Sequence, residues 1–169
     1  FQKIFMAIAD FEQITSLATL GFNQPDWAMP DLIDSSGVAI QGKGLGHVLK
    51  PDSVSNDFDL NQNNRLTLIT GSNMSGKSTF LRTLGTNVIL AYAGSCTFAR
   101  SLSLNTGIQL YAYMRIKDSL EQDSSTFKAE IDRIKILLEA MDNIPKSLLL
   151  VDEMLRGTNS EDKLKGSLA

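Results

Sequence analysis

Apolar and polar positions along the chain change period several times, and each change marks a predicted element. Over residues 1–21, apolar side chains recur at Ile4, Ile8, Phe11, Ile14, Leu17 and Leu20, the spacing of one helix face. That face needs a partner, which a place at the end of a longer helix from a preceding domain would supply. Pro25, Asp26, Trp27 and Pro30 stop the period. The glycines of Gly42-Lys43-Gly44-Leu45-Gly46 predict turns around a short strand within 37–50. Residues 54–60 predict a second strand, and Asn61 to Arg65 a polar turn. Leu66 to Thr70 is short, apolar and β-branched, the pattern of a buried strand.

From Gly76 to about Ala93 the period becomes helical, with Phe80, Leu81, Leu84, Val88, Ile89 and Tyr92 expected against a sheet. Residues 96–99 predict a short strand, and Ile108 to Met114 a stronger one. Asp118 to Ser125 is polar and reads as a loop. Phe127 to Met141 is a second amphipathic helix, with Phe127, Ile131, Ile134, Leu137, Leu138 and Met141 on one face. Ser147 to Glu153 is an apolar strand that runs into carboxylates, followed by a polar loop at Leu155 to Lys163. Strands alternating with helices predict an α/β layer fold with a mostly parallel sheet flanked by helices.

Composition narrows the function classes. The 169 residues are 43% hydrophobic and 21% charged, ordinary for a soluble globular domain, with a formal net charge of −3. A polyanion binder is expected to carry a basic face, so contacts with nucleic acid are expected to lie outside this segment. The single cysteine, Cys96, excludes a disulfide within the chain and reads as a small buried hydrophobe. No secretory segment or long apolar span occurs, so a cytoplasmic location and no membrane partner are expected. The chain opens at Phe1 and closes at Lys165-Gly166-Ser167-Leu168-Ala169, directly after a polar loop. It is therefore expected to be a piece of a longer protein.

The chemistry lies in two places. Gly71-Ser72-Asn73-Met74-Ser75-Gly76-Lys77-Ser78-Thr79 fits the pattern G-x-x-x-x-G-K-[ST] between a predicted strand and a predicted helix. Glycines let backbone N–H groups approach phosphate oxygens. Lys77 can reach the β- and γ-phosphates, and Ser78 can offer its hydroxyl to Mg²⁺. The helix N-terminus adds free donors and a favourable dipole. The second place is Asp152-Glu153, at the end of Leu148-Leu149-Leu150-Val151. Asp152 is suited to hold Mg²⁺ through water, and Glu153 to orient the attacking water. An acidic pair after a strand is weak evidence alone, but beside a phosphate loop it completes a P-loop NTPase that uses a nucleoside triphosphate and Mg²⁺. Two further stretches have plain structural readings as well. Ser124 or Ser125 can cap the helix that follows, with Lys128 or Glu130 supporting its first turn. Arg156 to Lys163 can be a solvated loop.

At this point three motifs in order over Gly71 to Asp162 make the chain similar to the ATPase domain of the MutS DNA mismatch-repair family. The phosphate loop, with Asn73-Met74 before its glycine and lysine, resembles that family's. Ser124-Ser125-Thr126-Phe127-Lys128-Ala129-Glu130 resembles its version of the ATP-binding-cassette signature. Leu148 to Asp162 resembles its acidic strand and following loop. More weakly, Gly44 to Leu49 resembles a His-Pro motif, and Val54 to Leu60 a segment that lines the nucleotide base. The resemblance implies an ATP-binding-cassette-like fold, with residues 1–30 the end of a lever or core helical region and 31–169 an ATPase domain incomplete at its C-terminus.

It also implies roles. The backbone of Ser75, Gly76, Lys77 and Ser78 would wrap the phosphates, with Asn73 beside the γ-phosphate. Ser78 and Asp152 would manage Mg²⁺, and Glu153 would be the catalytic carboxylate. Ser125 would act in trans on a partner's nucleotide in a head-to-tail dimer, with itself or a homologous ATPase domain. Arg156, Gly157, Thr158, Asn159 and Asp162 would form a loop at the dimer face. DNA would be held by parts of the protein outside this segment.

The departures from the pattern are specific. Val48 stands where the family has proline, and Ser53 or Val54 where a base-stacking aromatic is expected. Leu155 replaces a glycine, Asn159-Ser160 replace serine-threonine, and Glu121, Gln122 and Asp123 make the segment before the signature acidic. These imply a divergent MutS-like branch. A histidine that the family carries beyond Asp162 is not reached before Ala169, and His47 lies far upstream, so weak nucleotide binding and slow hydrolysis are expected of this segment alone. Two other functions remain open. An ATP-binding-cassette ATPase of transport or another DNA-maintenance role would usually carry a Leu-Ser-Gly-Gly-Gln-like signature, which is absent. A dimerisation switch without hydrolysis sits poorly with intact Lys77, Asp152 and Glu153.

Overall fold

A computed structural model describes residues 1–50, 52–114 and 123–153, with the side chains of 123–129 left aside. The chain forms two compact units, residues 1–107 and 108–169.

The first unit opens with helix α1, Gln2–Asn23. Its apolar residues have the expected spacing, yet none is buried; Ile4, Phe5, Ile8, Phe11 and Ile14 are all exposed. At its end Gly21 comes close to the sulfur of buried Cys96, and Trp27 stacks on Phe98 with ring centroids 4.9 Å apart. Four strands follow in one sheet: β1 Asp31–Ile33, β2 Ile40–Leu45, β3 Asn56–Leu60 and β4 Ser101–Asn105, in the order β1-β4-β2-β3. β1 runs parallel to β4, while β2 is antiparallel to both β3 and β4. The sheet is therefore mixed, which corrects the expectation of a mostly parallel one: only residues 46–55 separate β2 from β3, too short a connection for the crossover that parallel neighbours need.

Helix α2, Lys77–Tyr92, buries Thr83, Leu84, Asn87, Val88 and Ala91 on one face, together with Gly85. Leu84 and Val88 were expected there, but Ile89 and Tyr92 are exposed, and the polar Asn87 takes a core position. Asn87 is tolerated because its amide donates to the carbonyls of Gly46 and Thr83 at 3.1 and 2.9 Å, which ties α2 to the end of β2. Ile40, Leu45, Leu102 and Leu104 complete the core beneath.

Two predicted strands of this unit need correction. Residues 96–99 form only an isolated bridge between Thr97 and Ala28, and the strand lies just after them, at β4. Leu66 to Thr70 joins neither sheet. Leu66 and Leu68 are 84% and 83% exposed. A short apolar run becomes a strand only when a neighbouring edge supplies hydrogen bonds, and no described edge pairs with this one.

The second unit is smaller. Strand β5, Gln109–Tyr113, pairs parallel and in register with β6, Ser147–Val151, so that Tyr113 lies opposite Val151. Between them runs α3, Asp123–Asn143, which lies against β6. Leu137 and Ala140 on α3 and Leu148 and Leu150 on β6 are buried, whereas Ile131, Leu138 and Met141 are exposed. The helix begins at Asp123, earlier than predicted, so Asp123 to Ser125 are its first residues rather than the end of a loop. The rest of that predicted loop lies outside the described residues.

Candidate nucleotide-binding site

The loop from Gly71 to Gly76 turns sharply and feeds α2. Gly76 is the N-cap residue and adopts φ 96°, a left-handed conformation that favours glycine. A side chain at Gly71 would place its Cβ 2.6 Å from the Ser75 hydroxyl oxygen, so the Ser75 side chain would have to move aside. Ser75 N–H donates to Ser72 O at 3.2 Å, and Phe80 N–H donates to Gly76 O at 2.8 Å, starting the helix. Lys77 Nζ donates to Gly71 O and Ser72 O, both at 2.8 Å. One ammonium thus spans the loop it follows and draws its two ends together. Ser78 and Thr79 occupy the first turn of α2, where the free N–H groups of a helix collect.

A recess of about 280 Å³ opens beside the loop. Ser75, Gly76 and Lys77 line it from the loop, and Phe80 from α2. Ile69 and Thr70 line it from before the loop, and Asn56 and Asp57 from β3. Phe80 also meets Phe58 edge-on, with centroids 5.9 Å apart, which fixes α2 against β3. The segment from Val54 to Leu60 therefore does border the recess. Its contributing residues are Asn56 and Asp57, which the sequence reading did not single out. Ser53 instead accepts a hydrogen bond from His47 N–H at 3.3 Å. His47 is buried, and its Nδ1 accepts from Leu49 N–H at 3.2 Å, a structural use of the ring. Asp57 accepts from Gly44 N–H at 2.8 Å and from Lys43 Nζ at 3.2 Å. The Gly44 amide first, and the Lys43 ammonium second, hold its carboxyl below the usual value of 3.8.

The acidic pair belongs to the second unit. Asp152 is buried at the end of β6, and its N–H donates to Tyr113 O at 2.8 Å, extending the ladder by one bond. Glu153 is exposed and has φ 50°. Together with Met74 at φ 66°, it is one of two non-glycine residues with positive φ among the described residues, and each lies within one of the two predicted motifs. Such conformations cost roughly 1–3 kcal/mol and concentrate where a site dictates the backbone. Ser125 is the third residue of α3. Arg156, Gly157, Thr158, Asn159 and Asp162 lie outside the described residues.

The donors fit a hard cation. Ser78 in the first unit carries a hydroxyl and Asp152 in the second a carboxylate, each an oxygen donor of the kind that Mg²⁺ takes alongside water and phosphate. No set of three or more acidic, histidine or cysteine side chains that could cage a metal by themselves occurs among the described residues. No helix among them is long and apolar enough to cross a membrane.

A phosphate-type loop opening a helix beside a sheet, with an acidic pair at the end of a separate apolar strand, defines a P-loop nucleotide-binding protein of α/β class. The comparison with known families narrows this: MutS domain V matches residues 67–169, which is more than half of the chain. The chain belongs to the MutS family, and the matched segment corresponds to that family's ATPase domain. Over 165 residues, 95% of this chain and 19% of the relative, it is 34% identical to the DNA mismatch repair protein MutS of Shouchella clausii. Over 116 residues, 69% of this chain and 15% of the relative, it is 38% identical to the endonuclease MutS2 of Thermus thermophilus. The chain thus spans less than a fifth of the length of these curated relatives.

Proposed function

We propose that this segment binds and hydrolyses ATP within a MutS-like DNA repair or recombination protein, and that nucleotide-driven closure of two such domains clamps DNA held by other parts of the full-length chain. The observation that carries the reading is the loop itself. Lys77 lies across Gly71 and Ser72 at the mouth of α2, beside a recess bordered by β3. In that setting Lys77, the backbone N–H groups of Ser75 to Ser78, and Asn73 meet the charge of the transferring phosphoryl group. The recess takes the nucleoside end, with Asn56 and Asp57 as its polar border.

Ser78 and Asp152 are the residues that would hold Mg²⁺, which when bound neutralises charge on the β- and γ-phosphates. Glu153 orients the attacking water and receives its proton. Ser125, in the first turn of α3, offers its hydroxyl to a nucleotide bound by the partner domain, head to tail. Residues 1–30 end the helical region that relays closure to the clamp, and 31–169 form the ATPase domain. The protein acts in the cytoplasm.

The test is ATP turnover by the full-length protein with no DNA and with duplex, mismatched and branched DNA. Glu153→Gln serves as the control for contaminating ATPases. One DNA form is expected to change turnover, and Glu153→Gln to lower it about 10³-fold while nucleotide binding persists. Turnover that no DNA form alters would overturn the clamp reading and leave a nucleotide switch with another kind of partner.

A further inference from the structure

Tyr113 is the last residue of β5 and makes two connections at once. Through its backbone, its carbonyl accepts the Asp152 N–H at 2.8 Å, one residue beyond the in-register pair Tyr113–Val151. Through its side chain, the buried phenol reaches Glu130 of α3 and donates to the carboxylate. Glu130 lies in the same helix as Ser125, five residues further on. Its Oε2 is buried with no hydrogen-bond partner among the described residues. One oxygen of this half-buried carboxylate is thus unmet, so the bond from Tyr113 carries more of its placement than it would in a well-partnered carboxylate. Arg133, one turn further along α3, adds its positive charge to the same corner.

We propose that Tyr113 is a positioning residue that couples the start of α3 to the acidic end of β6, holding Glu130 with its phenol and Asp152 with its carbonyl. This rests on the reading of Asp152 and Glu153 as the hydrolytic pair and of the α3 start as the surface that meets a partner's nucleotide. A helix is stiff over two turns, so a displacement of Ser125 moves Glu130 with it. The movement reaches Asp152 through one residue, and the same path runs in reverse. Hydrolysis in one domain is thereby made sensitive to engagement of its α3 by the other.

The experiment is a double-mutant cycle in the full-length protein, with Tyr113→Phe, Glu130→Gln and the pair. Both changes keep shape and volume. Steady-state ATP turnover, nucleotide affinity and melting temperature are measured for each, with Glu153→Gln in parallel. Each single change is expected to lower kcat about tenfold with KM unchanged and melting preserved, and the double variant to fall no further than either single one. Unchanged kcat, losses that multiply in the double variant, or losses that track melting temperature would overturn the coupling while leaving the ATPase reading intact. Wild-type turnover that Glu153→Gln does not affect would overturn the ATPase reading, and the coupling with it.

Discussion

The two units carry the two motifs that the proposed function joins, and they hold them in opposite ways. In the first, the phosphate loop is held by bonds to itself: Lys77 to Gly71 and Ser72, Ser75 to Ser72, Phe80 to Gly76. The apolar run that leads into it, Leu66 to Thr70, belongs to neither sheet. In the second, the acidic pair has little local structure of its own. It ends a strand paired over its whole length with β5, and Asp152 continues that ladder. A loop whose geometry comes from neighbouring residues can form without its strand. A carboxylate whose position comes from a sheet cannot.

The largest effect expected from this contrast is on stability. Leu150→Ala empties a buried position on β6 and should cost about 2–5 kcal/mol. Leu68→Ala, at an exposed position, should stay within about 0.5 kcal/mol. Chemical denaturation of the two variants measures both. A large loss for Leu68→Ala would mean that the run before the loop is structurally partnered after all, and the contrast would fail.

Next is Lys77→Ala, which removes the cation and the two bonds that close the loop. Nucleotide affinity should fall about 100-fold, while melting changes little because both bonds are exposed. Titration with a fluorescent ATP analogue reads the first quantity, and calorimetric melting the second. Gly71→Ala sharpens the same point at smaller scale. Its Cβ would meet the Ser75 hydroxyl oxygen at 2.6 Å and displace that side chain within the loop, so affinity should drop about tenfold, or about 1.4 kcal/mol. An unchanged affinity would show that the loop is not held as tightly as its bonds suggest.

The smallest effect concerns acid. The Asp57 carboxyl is held below its ordinary value of 3.8 by Gly44 N–H and then by Lys43. A folded-state value lower than the unfolded one contributes stability above 3.8, and that contribution is lost as pH falls through the folded value. Asp57→Asn should therefore lower melting slightly at neutral pH and leave it unchanged at the acid end of the titration. Melting curves between pH 7 and about 2 check the sign. Because the carboxyl is exposed, salt should shrink the difference.

What could be read from the sequence follows the same division. The phosphate loop, α2 and the end of β6 were legible because residue type dictates them locally: glycines at a turn, a helical period, an apolar run into carboxylates. The Leu66 to Thr70 run misled because its pattern is that of a strand, while pairing depends on an edge far away in sequence. β4 was displaced by a few residues, although Ser101-Leu102-Ser103-Leu104-Asn105 alternates in the strand period and the signal was present. β1 has three residues and no such signal. The core place of Asn87 was hidden because a buried amide is acceptable only when particular carbonyls, here those of Gly46 and Thr83, lie within reach. Tyr113 looked like one apolar residue of a strand. Its two connections depend on where β6 and α3 end up, and no local pattern encodes that.

The stacked pair at the end of α1 has an optical consequence. Trp27 is the only tryptophan in the chain, and it sits against Phe98 just past the point where α1 stops. Light absorbed at the red edge of the protein spectrum therefore excites a single fluorophore in this segment, placed where α1 gives way to the strands. Its emission is a built-in gauge of that joint, readable without a label while nucleotide is added.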